Sequence, residues 1–140
     1  MGTILPGHPG KLFVGGLFVC KTNTKNGYDI LPRHLKLERD RNAVSSFDLK
    51  WATKQMWFET GRTEQVAEMI ADNSPDMEYA EYGAPEIVKE EVFKIFQRLH
   101  PGKLIASSME DMRKKIESGI SKERIVYVGN TFGTVASQSA

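Results

Sequence analysis

The sequence predicts an α+β fold with α/β character at its C-terminus: an N-terminal β hairpin or set of strands, three helices, then a small βαβ unit. Three observations carry this. Residues 11–20 place two apolar, β-prone triplets around Gly15-Gly16. Val88, Val92, Ile95, Phe96 and Leu99 recur at helical spacing. After Gly102, an apolar triplet, a helix-period stretch and a second apolar run follow one another, as a parallel βαβ unit requires.

Residues 1–10 hold three glycines and two prolines, and are expected to form a flexible lead-in with little to pack. The Gly15-Gly16 pair fits either a two-residue hairpin or one long strand with a glycine bulge. Asn26-Gly27 marks a turn, and Tyr28 to Leu31 a short strand stopped by Pro32. Leu35 and Leu37 alternate with Lys36 and Glu38, as in a half-buried extended segment. Ser45 or Ser46 can cap the first helix, with Asp48 in its first turn and Gly61 past its end. Phe47, Trp51 and Phe58, with Ala52 and Met56 beside them, are expected to form its buried face, leaving Lys50 and Lys54 in solvent. Thr63 is expected to cap a second helix with Val66, Met69 and Ile70 on one face, and Pro85 to open the third. In the βαβ unit, Ser108 and Asp111 form a capping pair, and Met109, Met112 and Ile116 line the helix. The tail from Gly129 is small and polar, with no closing element expected. In domain terms this gives a lead-in at 1–10, a β element plus helices at 11–100, and the βαβ unit at 103–140, with truncation of that unit left open.

At 140 residues and 40% apolar content the chain can bury a core. A net charge of +1 argues against a general polyanion binder, though it leaves room for a local basic patch. A single cysteine, Cys20, excludes an intramolecular disulfide and an all-cysteine zinc site within one chain. It closes an apolar strand and is expected to be buried, with no neighbour that would activate the thiol. No apolar run reaches the length of a membrane span, and no signal peptide is recognisable. The expected location is the cytoplasm.

The basic stretch at 33–41 carries the candidate chemistry. Arg39 and Arg41 flank Asp40 and follow Arg33, His34 and Lys36. Arginine presents a planar, permanently charged fork to phosphate or carboxylate. The competing reading is a set of surface ion pairs among Glu38, Arg39, Asp40 and Arg41, each worth under about 1 kcal/mol. His8, His34 and His100 lack paired spacing, so no metal site is expected. His100 reads as a helix-end residue. Trp51, Trp57 and Phe58 lie near Arg39, Arg41, Lys50 and Lys54 in sequence, a pattern that can stack single-stranded nucleic acid, but core rings with the lysines on the solvated face are the better account. The acidic run at 76–82 would repel nucleic acid lying close to it, or could bind a protein partner. Ser107-Ser108 stands at a helix N-terminus, where capping is the better account.

Three stretches together, residues 12–19, Tyr28-Asp29 and residues 35–41, resemble part of the GHKL-type ATPases, in the Hsp90-like branch and its phage rIIA-type proteins. The resemblance covers about residues 11–60 by motif and extends more loosely to the end. It implies a segment downstream of the nucleotide-binding domain, in which Arg39, or Arg41 in its place, would contact the γ-phosphate. ATP and magnesium are implied for the parent protein, and an upstream ATPase domain or a homo-oligomer as partner. A phage origin would put the protein in the host cytoplasm. The chain departs from the family in having no helix with the Glu and Asn needed for water and magnesium, and no Asp-x-Gly-x-Gly loop. Nor does it contain another phosphate-loop motif. The implied role is therefore non-catalytic, with no cofactor for this chain alone. The alternative is a stand-alone nucleic-acid-binding or protein-interaction adaptor using Arg33, His34, Lys36, Arg39 and Arg41.

Overall fold

A computed structural model describes residues 1–35 and 45–139. The fold is α+β, with strands first, then helices, then a small β unit. Its contacts divide into two compact units: residues 1–61 with 74–79, and residues 62–73 with 80–140. This division differs from the sequential one expected: residues 1–10 join the strands of 11–61, and residues 62–73 and 80–100, expected with the β element, fall in the unit of the C-terminal residues.

In the first unit, β1 (Gly2–Leu5), β2 (Lys11–Val14), β3 (Leu17–Lys21) and β4 (Gly27–Ile30) form one sheet in the order β1-β4-β2-β3. β2 and β3 are an antiparallel hairpin with Val14 opposite Leu17. The turn needs positive φ at both central residues, which Gly15 (57°) and Gly16 (85°) adopt without a Cβ clash. Asp29 holds it, its Oδ1 accepting from the Gly16 N–H at 3.0 Å. The hairpin also contains an irregularity: Leu12 faces Cys20 but Phe13 faces Phe18, so Val19 is an extra residue on β3. β2 runs parallel to β4, and β1 pairs antiparallel with β4 along its whole length. Residues 2–5, expected to belong to a lead-in with little to pack, are thus a sheet strand. Their glycine suits the place, since a Cβ on Gly2 would stand 2.0 Å from the Asp29 carbonyl oxygen.

A 3-10 turn at Pro32–His34 ends at Leu35, and α1 (Ser46–Glu59) follows the segment 36–44. Ser45 is its cap, the side chain accepting from the Asp48 N–H. The buried side of α1 is Leu49, Lys50, Ala52, Thr53, Lys54, Met56 and Trp57. This corrects the expected face, for Phe47 and Trp51 are exposed while both lysines are inside. The physical reason is that each lysine has found a partner. The Lys50 Nζ donates to Asn23 Oδ1 at 2.6 Å and to the Pro75 carbonyl at 3.0 Å, with Glu78 at 3.7 Å. The Lys54 ammonium lies 3.9 Å from the centre of the Trp51 ring and 5.7 Å from that of Phe58.

The short 3-10 turn Pro75–Met77 completes this unit. Asp76 in it is fully buried, not part of an exposed acidic loop. Its carboxylate accepts from the Lys25 N–H (2.6 Å), the Asn26 N–H (3.1 Å), the Asn26 side-chain amide (3.0 Å) and the Tyr28 hydroxyl. The Tyr28 hydroxyl in turn accepts from Trp57 Nε1 at 2.8 Å, and Thr53 Oγ1 donates to the Asp76 carbonyl at 2.8 Å. One carboxylate thereby joins β4, its preceding turn and α1.

The second unit contains α2 (Thr63–Ala71), α3 (Glu86–Leu99), β5 (Leu104–Ala106), α4 (Met109–Glu117), β6 (Ile125–Tyr127) and α5 (Thr131–Ser139). Thr63 is the first residue of α2 and not its cap, the cap being Arg62. Val66, Ala67 and Ile70 of α2 and Val88, Val92, Ile95 and Phe96 of α3 are buried, while Leu99 is exposed. β5 and β6 are parallel neighbours joined through α4, the expected βαβ order. The Ser108 side chain caps α4 at Asp111, and the Asp111 carboxylate accepts from the Ser107 N–H. Met109 and Ile116 are exposed, so α4 does not bury the apolar line expected of it. The tail is not structureless. Phe132, Val135 and Ala136 bury one side of α5 against α3, and Asn130 Oδ1 accepts from the Gly133 N–H near its start. Among the described residues, no helix is long and apolar enough to cross a membrane.

Candidate functional site

An open cleft of about 530 Å3 lies in the first unit, lined by Met1, Pro32, Arg33, His34, Leu35, Phe47, Asp48, Trp51 and Ala52. β4 leads directly into one wall. Pro32 starts the 3-10 turn, and the turn brings Arg33 and His34 to the surface, where the Arg33 Nε–H donates to His34 Nε2 at 3.2 Å. The first two turns of α1 form the other wall. Phe47 and Trp51, four residues apart, stack at 5.7 Å with 24° between their planes, and Tyr79 lies 5.1 Å from Phe47. These rings are exposed by 54% and 41%, far more than core aromatics.

The electrostatics of the cleft are mixed. Arg33 supplies a guanidinium and Asp48 a carboxylate, and neither forms an ion pair among the described residues. Behind the aromatic wall, burial pushes the Lys54 amine below the ordinary lysine range. In the core, burial first and then the Asp76 hydrogen bond and charge push the Tyr28 phenol far above the ordinary tyrosine range. Tyr28 is therefore a neutral structural donor and not an acid–base group.

The structure brings Arg33 and His34 of the sequence candidates together at the cleft. Lys36, Arg39 and Arg41 lie outside the described residues. The other candidates are dispersed. His100 ends α3 with its ring 5.0 Å from Phe96, and Cys20 is half-buried on β3, its thiol pushed up by burial. Among the described residues, no group of three or more His, Cys, Asp or Glu side chains could hold a metal ion. Sequence reasoning missed Phe47 and Asp48 as cleft residues and favoured the core for Trp51. The readable signal was Leu49, Ala52 and Met56, whose spacing of three and four marks the inward stripe and leaves Phe47 and Trp51 off it. No protein-family model, curated protein or solved structure matches the chain.

Proposed function

We propose that this chain is a non-catalytic segment of a GHKL/Hsp90-like ATPase of the phage rIIA type, which completes or senses an ATP site held by another domain. The observation that carries the reading is the arrangement of the three resembling stretches. The β2–β3 hairpin lies beside β4, which carries Tyr28-Asp29, and β4 runs on to Leu35 at the cleft, where the Arg39 and Arg41 stretch begins in sequence. In this reading Arg39, with Arg41 as substitute, stabilises charge on the γ-phosphate. In this reading magnesium and its ligands belong to the nucleotide-binding domain, as the resemblance implies. The working location is the host cytoplasm.

The test is ATP turnover by this chain alone and joined to the sequence encoded upstream of it. Activity only in the joined form is expected, with Arg39→Ala lowering it by about 10³-fold, the scale of an arginine contact in phosphoryl transfer. Turnover within about twofold of the parent in that variant refutes the assignment. A second reading, a nucleic-acid-binding adaptor using the 33–41 stretch, is favoured by the exposure of Phe47 and Trp51 beside Arg33 and His34. It expects binding that weakens steeply with salt.

A further inference from the structure

We infer that the cleft between the Pro32–His34 turn and α1 is itself a binding site for the nucleotide unit, a planar base joined to a phosphate. The inference draws on neither Arg39 nor Arg41 and goes beyond the ATPase reading.

Four features converge on this ligand chemistry. The cleft volume, about 530 Å3, falls within the roughly 300–1,000 Å3 of small-ligand sites. Phe47, 54% exposed, gives it an aromatic surface that suits a base, backed by the Trp51 ring stacked against it. Arg33, with His34 beside it, supplies a planar cation that suits a phosphate. Asp48 supplies a carboxylate for a ribose hydroxyl or a base amino group. Arg33 and Asp48 line the same cleft yet are not spent on each other in an ion pair among the described residues. A ligand carrying an anion at one end and hydrogen-bond donors near its ring satisfies both.

The wall is also held in advance of binding. Lys54, 2% exposed, places its ammonium over the Trp51 ring at 3.9 Å, and Tyr79 lies against Phe47. A Phe47 ring backed in this way loses less freedom when a base stacks on it.

The experiment is a titration of this chain with AMP, adenosine, inorganic phosphate and a short oligo-dA, followed by calorimetry and by tryptophan emission. Trp57, 1% exposed, gives a constant background against which quenching of Trp51 is read. The expected result is saturable AMP binding with Kd below about 1 mM, and adenosine and phosphate each weaker by about tenfold or more. Arg33→Ala and Phe47→Ala should each weaken AMP by about tenfold, with circular dichroism unchanged because both side chains are exposed. Oligo-dA binding at least about tenfold tighter than AMP, with strong salt dependence, would identify the source as single-stranded nucleic acid; equal affinities would identify it as free nucleotide. Absence of saturable binding by both AMP and oligo-dA up to about 10 mM overturns the inference, as does unchanged affinity in both variants. The readout is binding by this chain alone, whereas the ATPase reading is tested by turnover of the joined protein, so the two can fail separately.

Discussion

Replacing Asp76 by alanine tests the organisation of the first unit most directly. The carboxylate accepts four hydrogen bonds, and alanine removes all of them. Lys25 is exposed and Asn26 half-buried, so water can take over the donors of those two residues. Tyr28 is 1% exposed, and its hydroxyl would lose its acceptor where water does not reach. One buried orphan donor costs about 1–3 kcal/mol, and loss of the charge-assisted bonds to Lys25 and Asn26 adds about 1 kcal/mol each. The total, about 3–5 kcal/mol, matches the scale for breaking a buried charged network. That is a large fraction of the roughly 5–15 kcal/mol by which a domain is stable. Urea unfolding followed by Trp57 emission reads it, since Trp57 hydrogen-bonds to the same Tyr28 hydroxyl. With a slope near 2 kcal/mol per molar, the midpoint should fall by about 1.5–2.5 M. Tyr28→Phe alone should cost about 1–2 kcal/mol, and the double variant should be less destabilised than the sum by at least about 1 kcal/mol. A midpoint shift worth less than about 1 kcal/mol, or additivity within about 0.5 kcal/mol, refutes the network as described.

Two further perturbations address other parts of the chain. Burial lowers the Lys54 pKa, so between that lowered value and the unfolded value near 10.4 the unfolded chain binds more protons; stability therefore rises with pH across this window. Tyr28 acts in the opposite sense, because its raised pKa gives a contribution that is full below about 10 and is lost as pH rises beyond it. Cys20, its thiol raised by burial, lowers stability in both proteins over the upper part of the range. From about pH 7 to 10 the urea midpoint of the parent should therefore rise relative to that of Lys54→Met; equal slopes would refute the role given to Lys54. In the second unit, a Cβ on Gly133 would stand 1.8 Å from the Val128 carbonyl oxygen, a backbone atom that cannot step aside alone. Gly133→Ala should displace α5 and destabilise by about 3 kcal/mol or more, read as a drop in thermal midpoint, and a midpoint equal to the parent's would refute that close approach.

How far the sequence discloses this molecule depends on whether burial follows periodicity. α3 was legible because its buried residues are apolar and recur at helical spacing, whereas Gly15-Gly16 left a hairpin and a bulged strand both open, since a glycine pair fits either. α1 was not. Its charged and aromatic residues run round the whole helix, and a lysine goes inside when an amide, a carbonyl or a ring receives its ammonium, as Asn23, Pro75 and Trp51 do. Those partners are distant in sequence or belong to the helix itself, so no local pattern announces them. β1 was hidden by flanking glycines and prolines, and α5 by a run of small polar residues, although Phe132, Val135 and Ala136 carry helical spacing. Asp76 left a faint signal in Ser74-Pro75-Asp76, a cap, a proline and an acid at the start of a helical turn. Of the site, Arg33 and His34 were identified, whereas the aromatic wall was assigned to the core.

The buried aspartate also governs how this chain can be divided. Residues 1–61 look like a self-contained piece along the sequence, since they hold the whole four-stranded sheet and α1. Cut there, that piece would keep Tyr28, Asn26 and Lys50 but lose Asp76 and Pro75, which receive their hydrogens from 25 or more residues away. During synthesis the same holds in time: the sheet emerges first, yet its central tyrosine has no acceptor until the chain has been made past residue 76. The last-placed part of the first unit is thus a six-residue stretch, 74–79, that reaches its site only by closing a long loop.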